Sequence, residues 1–106
     1  MYINLEQKDE IKVALQSDCE KYGTDIFFNR GEVVIERNTD LYIADADIVR
    51  LDITNENKEV RNIVKEKLEA LGFVVLSIEL RAFCHHITAE IYFVDGSNPT
   101  AKIVKD

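Results

Sequence analysis

Three adjacent residues, Cys84, His85 and His86, are the first group in this sequence whose side chains could do chemistry. Thiolate sulfur and imidazole nitrogen are standard ligands of zinc. On an extended chain Cys84 and His86 point to the same side, so these two could begin a metal site. A closed structural zinc site needs four ligands, and the one other cysteine, Cys19, lies far away in the sequence. We therefore expect no bound metal and keep Cys84 and His86 only as weak candidate ligands.

The same three residues could instead combine a nucleophile with its base, because a nearby imidazole converts a thiol into the reactive thiolate. Neighbours in sequence rarely have the required geometry, and no oxyanion loop accompanies them. The sequence also has no glycine-rich phosphate loop and no serine nucleophile elbow. We therefore predict a chain that is not an enzyme and holds no cofactor, with Cys84–His86 in a hairpin loop.

Four aspartates in the middle of the chain form a second candidate site, for a divalent cation. A calcium loop needs about six oxygen ligands and usually a glycine at its sharp turn. No glycine occurs between Asn38 and Asp52, and the set from Asp52 to Glu59 is equally incomplete. Turn formation, helix capping and solvation explain these residues as well. The four aspartates are Asp40, Asp45, Asp47 and Asp52.

Composition limits the class of protein. The chain has 106 residues, 13 Lys plus Arg and 20 Asp plus Glu, which gives a net charge of −7. That length fits a single domain, 1–106, with 96–106 as a C-terminal turn and tail. The negative charge argues against nucleic acid and anionic membranes as partners. The longest apolar run, Phe73–Leu76, is too short to cross a bilayer, and without an export signal we expect a cytoplasmic protein with free cysteines.

Two helices are predicted from caps and apolar spacing. The first begins after Asn4, within a capping box, and ends at Gly23. It carries Asp18 near the middle of its apolar face, so it is less cleanly amphipathic than the second helix. The second helix has five apolar residues and Lys67 on one face, and it ends at Gly72. Its cap is Asn55 or Asn57.

The remaining segments predict strands, and Asn29-Arg30-Gly31 reads as a tight hairpin loop between the first two. The predicted order is α-β-β-β-α-β-β. Both helices have one apolar stripe, so we predict a two-layer α+β fold in which a mostly antiparallel five-stranded sheet carries both helices on one face. The predicted strands are Thr24–Phe28, Glu32–Glu36, Val49–Ile53, Phe73–Leu80 and Ile87–Val94.

If both helices cover one face of this sheet, strict alternation leaves six large apolar side chains on the other face. Exposed aromatic and aliphatic side chains on a second sheet face are typical of an interface. The alternative is a register error of one residue, which would move every side chain of a strand to the opposite face. The predicted interface residues are Phe27, Val34, Phe73, Val75, Tyr92 and Val94.

The predicted apolar side chains on the second face, together with the missing catalytic motifs, predict a non-catalytic, acidic protein-binding or assembly module. Its partner is expected to be a protein, chiefly another copy of the same chain bound through the sheet. In element order alone, the chain resembles small structural subunits of phage tails and necks and acidic secretion chaperones. That resemblance implies a structural or escort role and no residue motif carries it.

A ligand-sensing role is one alternative. Residues 51–94 read β-α-β-β, with Leu71-Gly72 ending the helix before Phe73-Val74-Val75. This segment resembles part of an ACT-type regulatory module, which implies binding of a small ligand. The chain departs from that pattern at Thr54-Asn55-Glu56-Asn57, where the module usually has a glycine.

A nucleic-acid mimic is a further alternative, motivated by the net charge of −7. Such an inhibitor would occupy a basic cleft, and its binding would weaken with salt. The 13 basic residues are spread among the acids, so the sequence contains no continuous acidic segment of the kind this role would favour.

Overall fold

The computed structural model describes residues 2–37, 39–53, 59–83, 86–96 and 101–104, without the side chains of 37, 83, 86 and 101–104. Two helices and five strands follow one another in the order α1-β1-β2-α2-β3-β4-β5 among the described residues. Their bounds are Leu5–Tyr22 for α1, Ile26–Arg37 for β1, Asp40–Ile53 for β2, Val60–Ala70 for α2, Phe73–Phe83 for β3, His86–Asp95 for β4 and Ala101–Val104 for β5.

The strands form one open antiparallel sheet in the order β1-β2-β4-β3, and the short β5 pairs with β2 outside this path. Residues 40–51 of β2 pair with β1 on one side. On the other side, residues 47–53 pair with β4 and residues 41–44 with β5. The predicted α+β class is therefore confirmed, but the sheet is four strands wide and the prediction of five was wrong.

The error lies between the helices, where two long strands replace the three predicted ones. Asn29-Arg30-Gly31 does not turn, because Asn29 pairs with Ile48 and Gly31 pairs with Ala46 in a continuous ladder. The chain reverses later, beside Thr39, which has a positive φ of 70°. A hairpin at Gly31 would join two five-residue strands only, whereas the late turn gives β1 twelve ladder partners. The longer ladder outweighs the local turn preference.

The first helix is built as its sequence predicts. The Asn4 side chain accepts a hydrogen bond of 2.8 Å from the Gln7 backbone N–H, and the Gln7 side chain accepts one of 3.0 Å from the Asn4 N–H. This reciprocal pair is a capping box. At the other end Gly23 adopts φ 65°, and the N–H of Thr24 donates to the Cys19 carbonyl, which closes the helix.

The second helix also agrees with its pattern where it is described. It buries Val60, Val64 and Leu68 along one face. It stops before Gly72, whose φ of 95° requires a residue without a side chain. The predicted N-terminal caps, Asn55 and Asn57, lie outside the described residues.

The main core lies between the two helices and one face of the sheet, as predicted. At its centre the rings of Phe73 and Phe93 meet edge to face with centroids 5.3 Å apart. Residues of both helices belong to this core, so both helices cover the same face of the sheet. The buried members of the core are Ile3, Ile11, Leu15, Val49, Leu51, Ile53, Val60, Val64, Leu68, Phe73, Ala89, Ile91 and Phe93.

The opposite face of the sheet forms a second, smaller core. The sheet curls over this face, so β1 and β3 come within 8 Å of each other at their Cα atoms although two strands separate them. Ile35 of β1 and Leu76 of β3 both pack against this core. Its buried members are Val33, Ala44, Ala46, Ile48, Tyr92 and Val94.

A β-bulge between Val75 and Ser77 reverses the alternation in β3. Before it Phe73 and Val75 face the helices, and after it Ile78 does. Unbroken alternation would put Val74 on the same side as Ile78, and the bulge separates them. The prediction that Phe73 and Val75 lie on the face away from the helices was therefore wrong. An extra residue in one strand shifts every later side chain to the other face, and periodicity alone does not detect it.

Candidate functional site

The six predicted interface residues do not lie together on one face. Phe73 and Val75 belong to the core beneath the helices, and Tyr92 and Val94 belong to the second core. Of the six, Phe27 and Val34 are the two that stay well exposed, at 61% and 59%. They lie on opposite faces of β1, because they are seven positions apart and the side chains of a strand alternate between its faces.

The exposed apolar side chains of the sheet are concentrated on its two outer strands, β1 and β3. No described strand pairs with the outer side of either one. Besides Phe27 and Val34 on β1, Val74 and Leu80 on β3 are exposed at 41% and 48%. The sequence prediction missed these two, because alternation assigned both to the helix-covered face. Leu80 does lie on that face, but on an outer strand, and Val74 lies on the other face because β3 changes face at the bulge. Ser77, a single polar residue in an apolar stretch, is the one local sign of it.

A row of charged side chains crosses the second face between β2 and β3. Arg50 stands opposite Glu90 in the β2–β4 ladder, with Arg50 Nε 4.0 Å from Glu90 Oε2. Glu90 stands opposite Glu79 in the β4–β3 ladder. Arg81 donates to Glu90 and also reaches Glu79, with Nη2 3.3 Å from Oε2. Two carboxylates that face each other are thus held by guanidinium groups.

The environment of this charged row keeps Arg81 charged and Tyr92 protonated near neutral pH. The hydrogen bond from Arg81 to Glu90 raises the pKa of the guanidinium, which stays charged. Burial raises the pKa of Tyr92, and the charges of Glu90 and Glu79 add to this, while donation from Arg81 opposes it. A tyrosine with a raised pKa stays protonated near neutral pH, so Tyr92 is a poor general base.

Asp47 is the most buried of the four aspartates, with 1% of its surface exposed. Its Oδ2 accepts a 2.8 Å hydrogen bond from the Ile3 N–H, and its Oδ1 lies 3.8 Å from Arg30 Nε. Arg30 also lies over the Tyr2 ring, 4.5 Å from the centroid. Burial raises the pKa of the Asp47 carboxyl, although the Ile3 bond and Arg30 oppose this. Asp47 therefore anchors the N-terminal segment.

The aspartates do not form a cation site in the part of the chain that the structure describes. Alternation along β2 places Asp45 and Asp47 on one face and Asp40 and Asp52 on the other. Asp52 accepts a 3.2 Å hydrogen bond from the Thr88 hydroxyl. Across the described ranges, no group of three or more His, Cys, Asp or Glu side chains is placed to hold a metal ion.

The first candidate site falls largely outside the described residues. This applies to Cys84, to His85 and to the side chain of His86, whose backbone begins β4. The metal and nucleophile hypotheses for these residues therefore stay untested. The same holds for the loop Thr54-Asn55-Glu56-Asn57, on which the ligand-sensing alternative depends.

A groove of about 680 Å³ lies beside Cys19, where α1 ends and β1 begins. Cys19 is a free thiol that is partly buried in the groove wall. Burial, followed by the charges of Asp25 and Asp18, raises the pKa of this thiol above 9.0. A raised pKa suppresses the thiolate at neutral pH, so the groove does not contain an activated nucleophile at Cys19.

Comparison with protein-family models, with curated proteins and with solved structures finds no match to this chain. Among the described residues, no helix is both long and apolar enough to cross a membrane. The function of this chain must therefore be inferred from its own sequence and geometry.

Proposed function

We propose that this chain is a non-catalytic assembly module that binds further copies of itself through the edges of its sheet. The observation that carries the proposal is the state of the two outer strands. β1 has twelve residues and β3 has eleven, and no described strand pairs with their outer sides. Such an edge offers a row of N–H and C=O groups to any strand that can align with it.

The side chains on these edges favour pairing. Monomeric proteins usually protect long edges with charge, proline or short length. Here both edges are long and contain no proline, and beside their charged residues Phe27, Val34, Val74 and Leu80 expose apolar surface next to the unpaired backbone. Strand addition would satisfy the backbone groups and cover part of this surface in one step.

The proposal keeps the partner expected from the sequence but moves the contact. Sequence alternation predicted a flat apolar face, and the curled sheet buries Tyr92 and Val94 within the protein. Most of the exposed large apolar side chains that remain on the sheet lie on β1 and β3, and Leu41 on β2 is the other one among the described residues. A cytoplasmic location remains part of the proposal, supported by the free thiol of Cys19.

The test is the mass of the full chain in solution, measured by light scattering across a range of concentrations. We expect a dimer or larger species, and we expect the double variant Phe27→Lys, Leu80→Lys to be a monomer. Val13→Lys is the matched control, because Val13 is 72% exposed but lies on α1. A wild-type chain that stays monomeric at every concentration, without a partner, would contradict the proposal.

Negative-stain microscopy separates two forms of this function. A structural subunit uses both edges, so it builds rings or stacked particles. A module that uses one edge stops at a closed pair. Either outcome supports assembly through the sheet, and the particle shape tells how many edges take part.

A further inference from the structure

We infer that the self-pairing edge is β3, and that two copies align antiparallel about a two-fold axis through Leu80. This inference depends on the self-assembly proposed above and adds to it the strand, the register and the symmetry. It is carried by three features of the described residues: the crowding of the other edge, the charges around Leu80, and the side chains that would face each other.

The curl of the sheet favours the second half of β3 over β1. Val33 and Ile35 of β1 share the second core with Leu76 of β3, so the late part of β1 approaches the early part of β3. A partner strand along the whole of β1 would have to pass this crowded region. The part of β3 after Ser77 lies beyond the last β3 member of that core. This part of β3 is therefore free of the crowding that affects the late part of β1.

Next to Leu80, Glu79 shares its guanidinium partner, Arg81, with a second carboxylate, Glu90. Glu79 stands directly opposite Glu90 within the sheet, and like charges in this position destabilise a strand pair. Arg81 contacts both carboxylates, while Arg50 contacts Glu90 alone. On its outer side, Glu79 faces no described strand. A cation supplied from that side would complete the row.

A second copy aligned antiparallel about Leu80 supplies that cation. In this register Glu79 faces Arg81 of the second copy, and Arg81 faces its Glu79. Arg81 can serve both copies, because a guanidinium has five N–H donors. Moving the axis to Ile78 would place Glu79 opposite Ser77, so Glu79 would face no cation of the second copy.

The other face of the same junction is apolar. Leu80 pairs with the buried Ala89 inside the chain, so its side chain lies on the helix-covered face. On the axis it would face Leu80 of the second copy, while Ile78 would face Ala82. The 48% exposure of Leu80 would thus be reduced by its own counterpart. Opposite residues share a face, so four strands from each copy would form one sheet with all helices on one side.

Charge exchange tests the register. Glu79→Arg places like charges opposite each other at both ends of the junction, and Arg81→Glu does the same with the opposite sign. We expect each single variant to weaken self-association by at least about tenfold. An equal mixture of the two variants should pair as strongly as the wild type, because every junction then joins an arginine to a glutamate. Sedimentation with one fluorescently labelled variant measures this.

Folding is checked on the same samples, since Arg81→Glu also removes the contact with Glu90. Glu79→Arg keeps that contact, so it tests the junction with less disturbance. Glu69→Arg on α2 is the matched control and should leave the mass unchanged. As a second measurement, Leu80→Cys without the two native cysteines should cross-link on oxidation, whereas Phe27→Cys should not.

The outcomes separate this inference from the proposed function. A monomeric wild type overturns both. A dimer whose mixed variants do not pair, or which cross-links through Phe27→Cys and not Leu80→Cys, overturns the β3 register and leaves self-assembly intact. Recovery in the mixture together with cross-linking at Leu80→Cys supports the register, the strand and the symmetry.

Discussion

Asp47 Oδ2 accepts a 2.8 Å hydrogen bond from the backbone N–H of Ile3, which lies 44 residues earlier in the chain. Both residues are almost fully buried. The bond therefore joins the segment before α1 to the middle of β2, inside the protein. It also satisfies a backbone donor that would otherwise be buried without a partner.

Asp47→Ala should destabilise the fold by about 1–3 kcal/mol, because it leaves the Ile3 N–H buried and unsatisfied. Asp47→Asn keeps an oxygen for that N–H, so its effect should be smaller. Chemical denaturation measures both free energies of unfolding. Asp45→Ala, two residues away on the same strand and less buried, is the control. Equal losses for the three variants would contradict the anchoring role.

Asp47 should also make stability depend on pH. Burial raises its pKa in the folded protein above the ordinary value of 3.8, so the folded state binds the proton more tightly than the unfolded chain. Its contribution is therefore fully present below pH 3.8 and is lost as the pH rises through the folded pKa. Relative to Asp47→Asn, the wild type should lose stability from acid to neutral pH. If the wild type instead gained stability relative to Asp47→Asn as the pH rose, folding would lower the pKa of Asp47 and not raise it.

Lys67 should contribute more to stability than an ordinary surface lysine. Its Nζ donates a 3.2 Å hydrogen bond to the Ala14 carbonyl of α1 and forms a 3.2 Å ion pair with Asp18 Oδ2. That oxygen is buried and makes no hydrogen bond among the described residues, so the ion pair offsets its burial. Lys67→Met keeps the aliphatic stem and should cost about 1 kcal/mol. Thermal and urea unfolding measure this loss.

The control for Lys67 is Lys65, whose Nζ lies 3.9 Å from Glu69 on the exposed side of the same helix. Breaking such a pair with Lys65→Met should cost less than about 0.5 kcal/mol. Equal losses at the two positions would mean that the Lys67 contact between the helices adds nothing.

Cys19 should react slowly with alkylating reagents at neutral pH. Burial and the nearby Asp25 and Asp18 raise the pKa of its thiol above 9.0, so little thiolate is present. Iodoacetamide kinetics on a Cys84→Ser chain isolate this thiol. The rate should rise with pH, and its midpoint should lie above that of a free cysteine peptide. A midpoint below the peptide value would contradict this prediction and would make Cys19 a candidate nucleophile.

The helix ends were predictable because the groups that make them are neighbours in sequence. Asn4 and Gln7 satisfy each other's backbone groups within one turn, and Gly23 and Gly72 provide the positive φ that ends each helix. The pairing of Asp18 with Lys67 was visible only as two polar residues on two apolar faces. Their meeting depends on how the helices cross.

The sheet was predicted less well, since its hydrogen bonds join residues that are distant in sequence. Glycine is typical of turns, but Gly31 pairs with Ala46 in the ladder, so the strand continues through it. The Val75–Ser77 bulge has the same origin, because only the ladder with β4 defines it. The candidate edge at Leu80 could not be found before the strand order was known, because that order makes β3 an outer strand.

By itself the sequence determined the α+β class, both ends of α1, the C-terminal end of α2 and the acidic, motif-poor character of the chain, because these depend on composition and on short-range contacts. Tertiary structure decided the turn beside Thr39, the four-strand width, the face of Val74 and the position of Leu80 on an outer strand. It also decided that Tyr92 and Val94 lie inside a curled sheet. The physical reason is that strand register and curl minimise the free energy of the whole ladder, and a local preference of a few residues is too small to oppose it.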